Sequence, residues 1–303
     1  MADVTKKVPT VSIILPTYNR AYCVGRTIEA VIAQSFTDWE LIICDDCSTD
    51  ATTAVVEGFT SRDSRISYQR NSMRMDLPAN RNAGIAHATA RLIYFVEDDV
   101  VLEPDTIGKL VCAYKQLKAE GVKVGAVGPR SIEPPKKGKM LALETRTSAR
   151  ARAKMMDNPS FIDRWTGLMY QNFQTTGSGL KRSVLLPSWS LFDRDALDFI
   201  GGYESEAYMR FHCSHEETDL FVRLQKAGYK LFFCPGAVTH HMRESSGGAR
   251  TSPFKYYYNY LGAHFIFLVR NFKWAATYMI PACLAFLTYS VLRASPVLLT
   301  GKE

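Results

Sequence analysis

The sequence predicts an α/β fold, a mostly parallel sheet flanked by helices, with an aromatic and apolar helical appendage at the carboxyl end. Two observations predict it. From Val11 to Val127 short apolar runs alternate with amphipathic stretches, the pattern of repeated βα units. After about residue 250 the composition turns aromatic, with Phe254 to Phe272 followed by an uncharged stretch from Trp274 to Leu292. At 303 residues, 47% of them hydrophobic, the chain can bury a full core.

Val11 to Leu15 reads as a buried strand stopped by Pro16, after which Val24, Ile28, Val31 and Ile32 recur at helical spacing. Leu41 to Cys44 gives a second strand, and Ser48, Thr49 and Asp50 offer side chains to cap a helix through Val55 and Phe59. Ile66 to Gln69 is a third, weaker strand. Pro78 opens a helix carrying Ala79, Ala83 and Ala86, and Leu92 to Val96 is a strand that runs straight into Glu97-Asp98-Asp99. Pro104 suits a first helical position before Ile107, Leu110, Val111, Tyr114 and Leu117, with Val124 to Val127 as a further strand. Beyond Pro129 the regularity lapses. It resumes with a strand at Ser190 to Phe192, a short helix from Arg194 to Phe199, a helix from Glu216 to Ala227 closed by Gly228, and a strand from Lys230 to Cys234.

A net charge of +7 suits nucleic acid, anionic lipid or a phosphorylated substrate. Nothing resembles a zinc finger or an RNP motif, so no nucleic-acid partner is expected. Several of the seven cysteines lie in apolar strands as small buried hydrophobes, which points to a reducing compartment. Met1 to Pro9 is polar with no apolar run before the first strand, so a cytoplasmic body is expected, peripheral to or anchored at the inner face of the membrane. The basic run from Arg130 to Lys154 reads either as a solvated loop or as a contact with lipid headgroups or phosphate. Trp274 to Leu292 is long enough to span a bilayer, but Pro281, Thr277, Thr288, Tyr289 and Ser290 favour an interfacial contact over a span or a core helix.

In open parallel sheets, ligands bind beyond the carboxyl ends of strands. Here Pro16-Thr17-Tyr18-Asn19-Arg20 ends the first strand, Asp45-Asp46 the second and Glu97-Asp98-Asp99 the fourth. Two acidic clusters at such ends repel unless a cation or ligand donors compensate. Their hard oxygens suit Mg²⁺ or Mn²⁺, with phosphate oxygens and water completing the shell. A first-strand turn without glycine argues against a dinucleotide-dependent oxidoreductase.

The segments SIILPTYNR, QSFTDWELIICDDCSTD, LPANRNAGIAHA and LIYFVEDDV, in that order, resemble the family 2 glycosyltransferases of the GT-A fold. The resemblance covers Val11 to Val127 strongly and Leu191 to His241 more loosely. It implies a metal-dependent, inverting transfer from a nucleotide-diphosphate sugar, UDP or dTDP being expected, to a hydroxyl or phosphate on a glycan or lipid-linked acceptor. It also implies a glycosyltransferase domain over residues 1–250, with its nucleotide-sugar half at about 8–130 and its acceptor half at 131–250; the change of composition beyond it marks 251–303 as a helical segment expected to be membrane-associated. By the same resemblance Pro16, Thr17, Tyr18 and Arg20 border the donor, with Tyr18 against the nucleobase and Asp46 accepting from a pyrimidine ring NH. Arg81 stands beside the donor, facing phosphate or an acidic neighbour. Asp98 approaches the ribose and Asp99 holds the metal, with Glu97 and, from the pair His240-His241 just past the last strand, His240 as further ligands. His215-Glu216-Glu217-Thr218-Asp219-Leu220 with Arg223 resembles the helix start that carries the catalytic base, which places Glu217 in that role and Glu216 in reserve. A sugar nucleotidyltransferase and a non-catalytic nucleotide-sugar binder share these features and stay open.

Overall fold

The computed structural model describes residues 7–134, 158–208, 215–244, 246 and 253–285. The basic run from Arg130 to Lys154 therefore lies largely outside the described residues, and the uncharged stretch is described only to residue 285.

Four parallel strands form the amino-terminal half of the sheet: β1 (Val11–Thr17), β2 (Trp39–Asp45), β3 (Ile66–Arg70) and β4 (Leu92–Phe95), in the order β3-β2-β1-β4. The path continues through β10 (Leu191–Asp193), β6 (Val124–Ile132), β11 (Lys230–His241) and β5 (Val100–Leu102), with β9 (Lys181–Ser183) also on β11. Only β6 and β11 pair in parallel in this half; β10, β5 and β9 run antiparallel to their neighbours. A hairpin of β7 (Ser160–Ile162) and β8 (Met169–Gln171) stands apart.

Strand alternation divides the core into two layers. Val11, Ile13, Leu15, Leu41, Ile43, Leu92 and Tyr94 face α1 (Val24–Ile32), α2 (Thr52–Thr60) and α4 (Thr106–Ala119). Ile14, Ile42, Cys44, Ile93 and Phe95 face α3 (Asp76–His87), α5 (Arg194–Ile200) and α6 (Glu216–Lys226). Gly84 sets the distance between α3 and the sheet. A Cβ there would meet Ile14 Cγ2 at 2.4 Å and Cys44 Sγ at 3.0 Å. Neither neighbour is a flexible side-chain tip, so Gly84→Ala is expected to cost about 1–3 kcal/mol, read as a lower midpoint in chemical unfolding.

Pro16 does not stop β1. Ile14 accepts from Val96 N and Thr17 accepts from Asp46 N, so alternate residues serve the two neighbouring strands. The missing N–H of Pro16 falls on the β4 side, past the last residue that β4 pairs. Other boundaries shift for local reasons. The second helix begins after Ala51, which offers no side-chain cap: Ser48 is held by Asp45, and Asp50, just before the N-cap, accepts from Thr52 N. Helix α4 begins at Thr106, since the Pro104 carbonyl is taken by Ser35 N. The final strand runs on from Cys234 to His241 across an irregularity before Val238. Cys44 and Cys47 have C-x-x-C spacing but are free thiols, like the other described cysteines.

Helix α7 (Pro253–Phe272) closes the carboxyl-terminal side. Ala263, Phe267, Leu268, Ala276 and Met279 form a third apolar cluster with Tyr208 and with Val222 of α6. Among the described residues no helix is long and apolar enough to cross a membrane.

Candidate active site

The carboxyl ends of β1, β2 and β4 open onto a cavity of about 240 Å³ whose lining includes Pro16, Thr17, Tyr18, Arg20, Asp46, Glu97, Asp98 and Asp99. Its acidic wall is the turn between β4 and β5, closed by Val100 N donating to the Glu97 carbonyl. Asp98 is buried, accepting from Thr17 Oγ1 at 2.9 Å and standing 3.4 Å from Arg20 Nε. Burial pushes its carboxyl up to about 7 despite the nearby arginine. Asp99 lies 3.8 Å from Arg20 Nη1 and accepts from Glu244 N at 3.1 Å. Arg20 thus neutralises the acidic turn from behind while also bordering the cavity.

Glu97, Asp99 and His241 each bring a possible ligand atom within 4.8 Å of the others. The sequence reading placed His240 here, and the strand's alternation reverses that. His240 points to the other face, 3.3 Å from Glu103, while His241 lies 3.5 Å from Asp99. His241 also stands 3.5 Å from Glu133 and packs on the Trp189 ring. Burial opposes its charge, but hydrogen bonding to Asp99 and Glu133 outweighs that and lifts the imidazole to about 9. The same contact with His241 helps to hold Asp99 below the usual carboxylate range against the effect of burial. A histidine raised in the folded state stabilises it fully below its unfolded value near 6.5, and the contribution is lost as pH rises through about 9. In chelator, melting temperature is therefore expected to fall over that window, and His241→Gln to flatten the fall.

Asp46 lines the cavity, yet both its oxygens are engaged. Oδ1 accepts from Asn71 Nδ2 at 3.0 Å and Met75 N at 2.7 Å, and Oδ2 accepts from Asp76 N at 3.0 Å. It therefore orders the loop from β3 to α3 as well as facing the cavity. That loop supplies Arg74, whose guanidinium stacks over Tyr18 at 4.3 Å.

A second cavity adjoins the first at Glu97 and His241 and reaches Glu133, Phe173, Ser188, Trp189 and Glu217. Arg81 joins the two. Fully buried, it donates from Nη2 to Glu97 at 3.1 Å and from Nη1 to Glu217 at 2.9 Å, with Glu216 at 3.8 Å. Glu97 and Glu217 are thus the acidic neighbours of Arg81. Ser188 also donates to Glu97, on the same oxygen as Arg81.

Glu217 and Glu216 occupy the first turn of α6, where a helix favours negative charge. Their positions differ. The Glu217 side chain is partly exposed in the second cavity, whereas Glu216 is 1% exposed, with one oxygen lacking a partner. Burial pushes the Glu216 carboxyl well up, so it is a poor base. The helix start is braced by α7. His215, left-handed at φ 75°, sets its Nε2 3.1 Å from His264 Nδ1, and Asn271 donates to Asp219 at 2.7 Å.

Of the pair His240-His241 the sequence reading chose His240 rather than His241, and it missed Glu133, Arg74 and Ser188. Only His241 carried a signal, as the second of two adjacent histidines in a strand whose phase was unknown. The others lie in stretches without regular periodicity.

The family model for glycosyl transferase family 2 matches residues 12–197. This chain belongs to that family. A UDP-Glc:α-D-GlcNAc-diphosphoundecaprenol β-1,3-glucosyltransferase of Escherichia coli is 37% identical over 89 residues, 29% of this chain and 34% of that protein. A GalNAc(5)-diNAcBac-PP-undecaprenol β-1,3-glucosyltransferase of Campylobacter jejuni is 36% identical over 92 residues, 30% of each chain. The matched stretches thus span about a third of these curated relatives. The fold resembles S. aureus TarS 1-349 in complex with UDP-GlcNAc, with a TM-score of 0.57, 13% identity, and coverage of 91% of this chain and 71% of that one. It also resembles the mannosyltransferase PcManGT from Pyrobaculum calidifontis in complex with GDP-Man and Mn²⁺, with a TM-score of 0.56, 16% identity, and coverage of 98% and 80%. The glycosyltransferase is thus of the GT-A type, a central, largely parallel sheet flanked by helices.

Proposed function

We propose that this glycosyltransferase moves a sugar, with inversion, from a nucleotide-diphosphate donor, UDP or dTDP, to a hydroxyl or phosphate of a lipid-linked acceptor at the cytoplasmic face of a membrane. The observation that carries this is the pair of adjoining cavities. An acidic turn stands in one, a partly exposed glutamate at a helix start stands in the other, and Arg81 links them.

The first cavity takes the donor. Tyr18, backed by Arg74, offers a flat face to a nucleobase, Asp46 an acceptor for its ring NH, and Asp98 a carboxyl for the ribose. Glu97, Asp99 and His241 suit a divalent cation. Two carboxylates with an imidazole fit Mn²⁺ better than Mg²⁺, which takes nitrogen donors poorly. Such a metal, when bound, supplies Lewis-acid stabilisation of the charge that develops on the leaving diphosphate.

The second cavity takes the acceptor, where Glu217 accepts the proton of the attacking hydroxyl. Arg81 fixes Glu217 by donating to its Oε1, which holds the carboxylate in the second cavity. Attack from the acceptor side, opposite the departing nucleotide, inverts the anomeric carbon in one displacement. The two glucosyltransferases named above act on undecaprenol-linked sugars by their names, which supports the lipid-linked class.

A panel of nucleotide sugars with and without Mn²⁺ tests the reading by thermal shift and slow donor hydrolysis. One donor is expected to raise the melting temperature only with metal. Release of pyrophosphate from a nucleoside triphosphate and a sugar phosphate would instead mark a nucleotidyltransferase.

A further inference from the structure

The chain has four tryptophans. Trp39 and Trp189 belong to the core, but Trp165 is 59% exposed and Trp274 87%. Leaving an indole in water forgoes one of the largest apolar burials a side chain offers. Both exposed rings lie on the same face. Trp165 meets Tyr278 edge-on at 6.1 Å, and Tyr278 follows Trp274 by four residues. From 274 to 285 the exposed positions are Trp274, Thr277, Tyr278, Pro281, Leu284 and Ala285, none of them charged, while Ala276, Met279 and Cys283 pack inward.

The turn that carries Trp165 is built to hold it out. The Asp163 carboxylate accepts from Trp165 N and Thr166 N, each at 2.9 Å, which faces this acid into the turn. Gly167 has φ +69°, and a Cβ there would meet Leu268 Cδ2 at 2.2 Å, so the turn sits directly on α7. His264 Nε2 lies 3.2 Å from the Thr166 carbonyl and ties the same turn to the same helix. Two cations complete the face. Arg164 lies over the Trp165 ring at 5.1 Å and Lys273 precedes Trp274; among the described residues neither is in an ion pair.

We propose that Arg164, Trp165, Lys273, Trp274, Tyr278 and Leu284 form the face by which this enzyme lies on an anionic lipid surface. Aromatic rings at headgroup depth with cations toward the phosphates match the chemistry of a bilayer interface, and the cations give it a preference for anionic lipid. The inference deepens the proposed function and rests on it for purpose, because a lipid-linked acceptor reaches the second cavity from a membrane.

The 303-residue chain is mixed with phosphatidylcholine vesicles, with or without phosphatidylglycerol, some carrying brominated acyl chains. Expected are cosedimentation with the anionic vesicles and quenching of tryptophan emission by bromine. Trp165→Phe/Trp274→Phe is expected to bind with its remaining emission unquenched, because Trp39 and Trp189 are buried. Trp165→Ser/Trp274→Ser is expected to weaken vesicle binding by at least about tenfold, and Arg164→Gln/Lys273→Gln to abolish the preference for phosphatidylglycerol. Absence of vesicle binding, quenching that survives the phenylalanine pair, or sedimentation-detected dimers that the serine pair dissolves would each overturn the proposal. Donor hydrolysis in lipid-free buffer separates the two readings. Hydrolysis without vesicle binding sinks this face alone, and vesicle binding without any donor turnover sinks the proposed function.

Discussion

Glu217→Gln is expected to lower the turnover of sugar transfer by about 10²–10⁴-fold while leaving donor affinity unchanged. The amide is nearly isosteric, and its oxygen can still accept from Arg81 Nη1 as the carboxylate does at 2.9 Å. Packing at the start of α6 is then preserved, and the loss reports proton acceptance rather than a displaced helix. Glu216→Gln is the matched control. Its carboxyl is already pushed well up by burial, so an amide there changes little and transfer is expected to persist. Native turnover in Glu217→Gln would place the base elsewhere.

Asp99→Ala is expected to abolish the metal-dependent part of donor binding, a fall in affinity of at least about 100-fold, since even groups that only support metal ligands cost 10–100-fold when removed. Asp99 sits between His241 and Arg20, so its removal also leaves two cations facing one another. Asp99→Asn separates these effects by keeping the shape and weakening the ligand. Calorimetry of the donor with Mn²⁺ and with chelator checks it. Equal donor affinity with and without Mn²⁺ in the native protein would remove the metal from the proposed scheme.

The amino-terminal half of the fold was legible because β1, β2 and β4 are buried on both faces and each helix on one. Apolar runs such as Leu41 to Cys44 and Leu92 to Phe95 therefore stand out whatever their neighbours are. The acidic turn followed from its place at the end of such a run. What lay beyond Pro129 was less legible. Strands β7, β8 and β9 have three residues each, too few for an alternation to register. The end of β11 carries Thr239, His240 and His241, polar residues that read as a loop but pair with β5 and β6. The choice between two adjacent histidines turned on that strand's phase, which an irregular register before Val238 conceals. Glu217 was legible through its helix start, whereas the burial of Glu216 is a tertiary fact set by Arg81 and its surroundings.

Arg81 has a consequence for how relatives of this enzyme can be recombined. One guanidinium neutralises a carboxylate from the β4 turn and another from α6, so neither can be exchanged alone. A graft that brings in a foreign carboxyl-terminal half with an apolar residue at the position of Glu217 leaves a sealed guanidinium without its second hydrogen-bond acceptor, a defect of several kcal/mol. On the proposed division of the cavities, changes of acceptor are therefore freer along the walls of the second cavity, at Phe173 or Ser131, than at the charge link through Arg81.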